Sequence, residues 1–584
     1  VRNFIINALA FAAAVLLVFY SLRGDEDEPG PDYDVVVVGA GISGLSAALE
    51  LGRAGARVLV VEMNSVAGGH AVMAGGFAFA DTPLQRAQGI QDSPDAAYED
   101  WMAWGETNDP VWTRAYADNA TDMVYRWLTD LGVDFKVLLP SPENRVRRFH
   151  FTQGKAVHAV LPILQEALRH SNISFVWNTQ AIDLLAAEGQ VQGVTLRNLR
   201  NDERQDVRAQ MVLLTTGGFQ NDLDRVRQNW AGGDAPTLLK GAGQFAIGLG
   251  HDLALDSGAA ATRYDTHVTF LNGLRDPRDP DSALIASNPN WLWVNAQGQR
   301  FANEAASDKA LLPEILKLPG NSYWAIVDTK GRKTFRIRDA VWLNASTVSA
   351  EILDNPSVVL KADTIDALAA QMDLNSAQLQ SALERYNAFI ESGDDSDFGR
   401  FGATNQRLPS AIAEPPFYAM PLFLVTRKNL GGIAVDQNLN VVDAGGAPIE
   451  GLYAAGELTG VVGINGRHGM SGTFLGPSVF TGRLAGQSIL RRLQTRVGWQ
   501  PAESLRLERG ASVDANWQPE FGMDDLESML EVSRPGYWHF ETAHAFVLEQ
   551  QWDCAMCHSA DHPMSTVSAR EDKLLQTNIC LSCH

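Results

Sequence analysis

The chain has 584 residues and a formal net charge of −22 at pH 7, with a pI near 5.0. That surplus of negative charge is repelled by phosphate backbones, which excludes nucleic acid as a partner; it suits a well-solvated surface and the steering of basic partners. Length predicts two to four domains, and no solenoid-type repeat is visible.

Residues Phe4 to Leu22, FIINALAFAAAVLLVFYSL, hold one Asn and no charge. As a helix they rise about 28 Å, enough to cross a hydrocarbon core. Arg2 precedes the run and RGDEDEPGPD follows it, so the positive-inside bias places the N-terminus in the cytoplasm. A cleaved signal peptide is the alternative, but no small-x-small site follows the apolar run. The expectation is an uncleaved signal anchor over 1–22, a linker over 23–33 and a periplasmic body.

After the linker comes YDVVVVGAGISGLSAALELGRAGARVLVVEMN. A buried strand, Val35 to Val38, runs into Gly39-x-Gly41-x-x-Gly44; an Ala/Leu helix and a second strand, Val58 to Val61, follow. The glycines allow a tight turn and close approach of a pyrophosphate to the helix N-terminus. Glu62, 18 residues beyond Gly44, is spaced to bind ribose hydroxyls. Strand, helix, second strand and acid stand in register, which predicts dinucleotide binding.

Further along stand GGHAVMAGGF (Gly68 to Phe77), TTGGF (Thr215 to Phe219), RFANE (Arg300 to Glu304), GLYAAGELTG (Gly451 to Gly460), SGTFLGPSVFTG (Ser471 to Gly482) and GRLAGQ (Gly482 to Gln487). Together they resemble the fumarate reductase/succinate dehydrogenase flavoprotein family, which also contains the 3-ketosteroid dehydrogenases. The resemblance covers about residues 34 to 495. It implies an α/β fold: a Rossmann-like FAD-binding domain (34–261 and 413–495) interrupted by an α+β capping domain (262–412), with the substrate pocket between cap and flavin. It carries cofactor roles onto Gly68, Gly69, His70, Gly75, Gly76, Thr216, Gly217 and Ser471, with Gly456 and Glu457 at the ribityl and phosphate region. Some relatives attach the flavin through a histidine near His70. The spacing to the next Gly-Gly is one residue shorter here, so noncovalent FAD is expected.

The pocket departs from both named branches. Where fumarate reductases place a proton-delivering arginine after RFxNE, and ketosteroid dehydrogenases a tyrosine nearby, ungapped counting gives Asp308. The arginine-containing proton path that precedes RFxNE in fumarate reductases is missing from LIASNPNWLWVN. Of the family's cationic substrate clamp, His267 in YDTHVTF, Lys428 in VTRKNLGGIAVD and Arg467 in GINGRHGMSG correspond; Lys428 as an exposed strand-end lysine is the bland alternative. SGTFLGPSVFTG leans to the ketosteroid branch, yet His468 stands where that branch has a tyrosine. The implied mechanism has the flavin exchanging hydride with an activated C–C bond of an unsaturated acid or enone. His267, Lys428 and Arg467 would stabilise enolate-like charge, and Asp308, with His468 second, would move the proton.

All four cysteines fall in the last 31 residues, as Cys554-x-x-Cys557-His558 and Cys580-x-x-Cys583-His584. Paired thiols that add to haem vinyl groups, each with an adjoining histidine for the iron, predict two c-type haems. A structural zinc ribbon and a disulfide framework are the alternatives. The order His544, CAMCH, His562, CLSCH resembles the doubled motif of multihaem cytochromes. That resemblance implies bis-histidine haems, with His558 and His584 proximal, His544 and His562 distal and His539 in reserve. The module is expected over 536–584, after a linker over 496–535.

Flavin and haems together make a two-to-one electron converter: a membrane-anchored periplasmic flavocytochrome c exchanging electrons with other cytochromes, running as reductase or dehydrogenase. The alternative from a different class is a non-enzymatic electron-transfer subunit of a respiratory complex.

Overall fold

A computed structural model describes residues 31–502, apart from 65, 153–155, 188, 200, 232–235, 340–342, 344 and 402–407. The expected anchor and the whole haem segment, with Cys554, Cys557, Cys580, Cys583, His539, His544, His558, His562 and His584, lie outside these residues. Among the described residues no helix is long and apolar enough to cross a membrane.

The first sheet grows from the valine-rich run after the linker. Strand β1 (Tyr33–Val38) leads through Gly39–Gly41 into helix α1 (Ile42–Arg53), and β2 (Val58–Val61) returns beside it. Val35 to Val38 bury both faces, as strands covered on two sides must. Next to β2 lies β3 (Ile173–Val176), and on the other side of β1 lies β4 (Arg204–Leu214), all parallel. Strand Pro448–Ala454 pairs in parallel with the end of β4, bringing the chain back to this sheet from more than 200 residues away. That return is the interrupted Rossmann arrangement the motifs imply.

The intervening chain builds a second, mainly antiparallel sheet. Its centre is β5 (His267–Arg275) against β6 (Phe417–Asn429), with Ala283–Ser287 and Tyr323–Val327 outside them. Leu238–Lys240 also joins β6. The expected boundaries at 261/262 and 412/413 thus leave two strands of this sheet, Leu238–Lys240 and β6, on the FAD-binding side of the division. An aromatic core of Trp291, Trp293 and Tyr323 fills the cap. Under RFANE lies a buried ion network. Arg300 donates to both oxygens of Glu304 (2.9 and 2.9 Å) and of Asp395 (2.9 and 2.9 Å), and Arg400 reaches Glu304 at 3.0 Å. With every charge paired, this network fixes the loop that opens helix α2 (Asp308–Ile315).

Helix α3 (Leu475–Gln494) closes the FAD-binding domain by crossing α1 at glycines. A Cβ on Gly482 would stand 2.2 Å from the Ser43 carbonyl oxygen, and one on Gly486 3.0 Å from that of Ala47. Only hydrogen fits there.

Candidate active site

A cavity of about 660 Å³ begins at Glu62 beyond the end of β2, passes the Gly39–Gly41 turn and ends under the cap at Lys428 and Phe474. Its walls follow from the fold, because crevices open where parallel strands end and helices begin. Helix α1 starts at Gly41 with no side chain capping its first N–H groups and no acid in its first turn, which leaves those donors for a phosphate. A Cβ on Gly41 would meet only the Thr215 carbonyl oxygen, at 4.0 Å, so the space before the helix is open. Gly44 does the neighbouring job: a Cβ there would lie 2.0 Å from the Gly39 oxygen, so it permits close helix–strand packing. Glu62 accepts from the backbone N–H of Ala40 and of Asn64, at 2.8 Å each. Burial raises its pKa against the pull of those donors. Ser43 Oγ and Thr216 Oγ1 are buried and unpaired in the same walls. Buried hydroxyls without partners are rare unless a ligand satisfies them. These donors, hydroxyls and open turn fit FAD.

The predicted cofactor residues divide by position. Gly39, Gly41, Glu62, Gly68, Gly69, His70, Thr216, Gly217 and Glu457 line the cavity. Gly75 and Gly76 instead pack strand Gly76–Ala78 onto Phe151 and the His150 backbone, and Gly456 backs onto Ser43. Ser471 donates its backbone N–H to buried Glu143 at 2.6 Å.

At the cap end stands a charged cluster. Lys428 lines the cavity with its ammonium 4.6 Å above the Phe474 ring, so the exposed strand-end alternative does not hold. Burial lowers its pKa, and Glu457 is the opposing charge. Burial in turn works against the Glu457 carboxylate, but Lys428, His70 and Gln220 outweigh it and hold the pKa at about 2. Gln220 donates to Glu457 at 3.0 Å. His70 Nδ1 lies 3.9 Å from Glu457, and burial together with Lys428 lowers the histidine to about 4.

Strand pairing brings His267 to the same end: it sits opposite Asn429, and Val268 opposite Lys428, just before a bulge. Asn429 Oδ1 accepts the Phe219 N–H at 2.6 Å, which turns its Nδ2 toward His267 Nδ1, 3.0 Å away. The imidazole therefore accepts at Nδ1 and carries its proton on Nε2. Burial lowers its pKa to about 4, and it stacks on Trp230 at 5.9 Å. His267 is thus neutral at pH 7, and of the three residues expected to form the substrate clamp only Lys428 lines the cavity.

The remaining predicted residues do not line the cavity. Arg467 is exposed. His468 is half-buried with Nε2 3.5 Å from Glu106. Asp308 opens α2, is exposed and does not line the cavity, so the buried, cavity-facing carboxylate that the expected proton transfer needs is not found there. The surrounding protein pushes the carboxyl up to about 6, with Arg338 acting in the opposite sense. Lys309 turns away from it to Glu106, at 2.6 Å. Sequence reasoning missed Ser43, Gln220, Asn429 and Trp230. Gln220 directly follows TTGGF and Asn429 directly follows Lys428, so adjacency was the available signal.

Fold and cavity together define a flavoprotein that holds a dinucleotide cofactor under a cap. The chain matches the family described as "FAD binding domain" over residues 34–475 and belongs to it. It is 30% identical over 471 residues to a fumarate reductase (cytochrome) of Shewanella frigidimarina, covering 79% of this chain and 77% of the relative. It is 29% identical over 482 residues to a vinyl phenol reductase of Lactiplantibacillus plantarum, covering 78% and 96%. Among solved structures, a 3-ketosteroid-delta4-(5alpha)-dehydrogenase of Rhodococcus jostii RHA1 matches with a TM-score of 0.59 at 26% identity, over 80% of this chain and 99% of that one. The protein is an FAD-dependent oxidoreductase of the fumarate reductase-like group, which sets aside the non-enzymatic alternative.

Proposed function

We propose that this enzyme is a membrane-anchored flavocytochrome c of the periplasm. It couples two-electron chemistry at an activated C=C or C–C bond to one-electron transfer through two c-type haems, exchanging electrons with other cytochromes. The apolar run over 4–22, the two CXXCH units and the cytochrome-type fumarate reductase among its relatives support this reading. The observation that carries the substrate side is Lys428, an ammonium set into the cofactor cavity beside an apolar ring.

Bound FAD supplies the hydride exchange. Gly39, Gly41 and Glu62 would hold its dinucleotide part, and Glu457, kept ionised by Lys428, would face its inner portion. Lys428 offers the fixed positive charge for a substrate carboxylate or carbonyl, in a setting where water screens little. His267 offers a neutral N–H rather than a second charge, so an enone is bound as readily as an acid. Arg467 adds a guanidinium fork. His468 would hold the proton that completes addition across the double bond. The substrate class is a small unsaturated acid or enone.

The test is anaerobic oxidation of reduced methyl viologen by the full-length protein, with fumarate, longer 2-enoic acids, vinyl phenols and steroid enones as acceptors. Turnover is expected with at least one class, and Lys428→Met should lower kcat/KM by about 10²–10³ at unchanged FAD content. No turnover with any of them, or a Lys428→Met enzyme equal to the parent, overturns the reading.

A further inference from the structure

Three elements meet around Glu106, outside the lining of the cavity. This residue ends helix Pro94–Gly105 with φ 64° and ψ −42°, a strained conformation for a non-glycine residue. Backbone contacts hold it there. Arg467 donates its N–H to the Gly105 oxygen at 2.8 Å, and a Cβ on Gly466 would stand 2.4 Å from that same oxygen. The carboxylate is thereby presented to a lysine and a histidine from different parts of the molecule. Lys309, from helix α2 of the cap, reaches Oε1 at 2.6 Å. It also donates to the Trp104 oxygen at 2.9 Å and lies 5.2 Å over the Trp104 ring. His468, from the loop of the FAD-binding domain, reaches Oε2 at 3.5 Å.

That loop is tied inward as well. Trp104 Nε1 donates to the Gly469 oxygen at 3.2 Å. A Cβ on Gly469 would meet Val268 at 2.7 Å and Phe474 at 3.6 Å, and Phe474 is the ring beneath the Lys428 ammonium. Gly469, the neighbour of His468, thus packs against residues at the inner end of the cavity.

We propose that Glu106 is a positioning residue for His468, and that Lys309, held on the same carboxylate, opposes protonation of that histidine. The proposal rests on the reading above, in which His468 is a proton-transfer group. An exposed ion pair with no further role would contribute little to stability. Here one carboxylate is shared between a cap lysine and a histidine that needs a set tautomer and orientation. The charges acting on His468 are Glu106, which favours its protonated form, and Lys309 and Arg467, which oppose it. Removing the Lys309 charge leaves Glu106 opposed only by Arg467, so the histidine binds its proton more tightly.

The experiment uses the FAD-loaded full-length protein with carbon-labelled histidine rings, the His468 signal being assigned from a His468→Asn sample. Glu106→Gln should lower the His468 titration midpoint, and Lys309→Met should raise it, each by about half a pH unit; Lys309→Arg should restore the parent value. The pH limb of kcat that follows this group should move in the same two directions. Shifts in one direction for both variants, or none, overturn the proposal, as does a kinetic limb that ignores the shifted midpoints. Opposite shifts in a protein that turns over no acceptor would overturn the proposed reaction while leaving the electrostatic coupling intact.

Discussion

His150 and His251 show how far side-chain chemistry here is set by enclosure. Both are fully buried. His150 lies between the Thr82 hydroxyl at 2.8 Å and the Arg148 carbonyl at 2.6 Å, and His251 against the Tyr264 hydroxyl at 2.5 Å. Burial lowers the first to about 4 and the second to about 3. The unfolded chain protonates near 6.5, so it takes up protons before the folded one does. Stability is therefore full above about pH 6.5 and falls as pH drops toward 4, by about 1.4 kcal/mol per pH unit for each group. The urea midpoint should be lower at pH 5 than at pH 7.5, with a shallower loss in a His251→Asn chain. A midpoint independent of pH over that range would contradict it. Neither histidine stood out in the sequence, because nothing around them marks them as buried. His267 did stand out, but its neutrality depends on Asn429 and Trp230, which reach it only through strand pairing and packing.

Among elements, the first βαβ unit is the one the sequence specified most fully. Four consecutive valines, a glycine turn and an Ala/Leu helix agree on one local structure, and strand, turn, helix and acid all form where expected. The crossing of α1 and α3 shows the opposite case. Gly482 and Gly486 look like ordinary helix glycines in GRLAGQ, and their purpose appears only when α1 lies against them. Gly482→Leu should destabilise the protein by about 1–3 kcal/mol or more, since the obstacle is Ser43 backbone rather than a side chain that can turn aside. Because Ser43 lines the cofactor cavity, FAD content should fall with it. Chemical unfolding and the flavin-to-protein absorbance ratio read the two effects, and a chain with both at parental values would show that the crossing tolerates bulk. Arg300 and Glu304 add a further lesson. They mark the family, yet in this structure they form a buried ion network, so the motif holds up the helix that carries Asp308 and Lys309.

For the whole molecule, the proposed electron path requires both haems. The full-length protein, purified from a host that attaches c-type haem and then denatured, should keep a covalent mass increase of two haems. One haem, or zinc in their place, would overturn that part of the reading. Replacing His562 should turn one low-spin haem into a ligand-exchangeable one, and an unchanged spectrum would give the distal role to His539.

The sequence by itself determined the dinucleotide site, the family and the cysteine pattern. Each of these is written in residues close together in the chain, where turn, helix and spacing are local matters of backbone conformation. Only the tertiary structure decided that Lys428, Glu457 and His70 meet, that His267 is neutral, and that Glu106 stands between Lys309 and His468. These groups are separated by tens to hundreds of residues. Their protonation follows from burial and from the charges beside them, and both exist only once the cap and the FAD-binding domain are packed together.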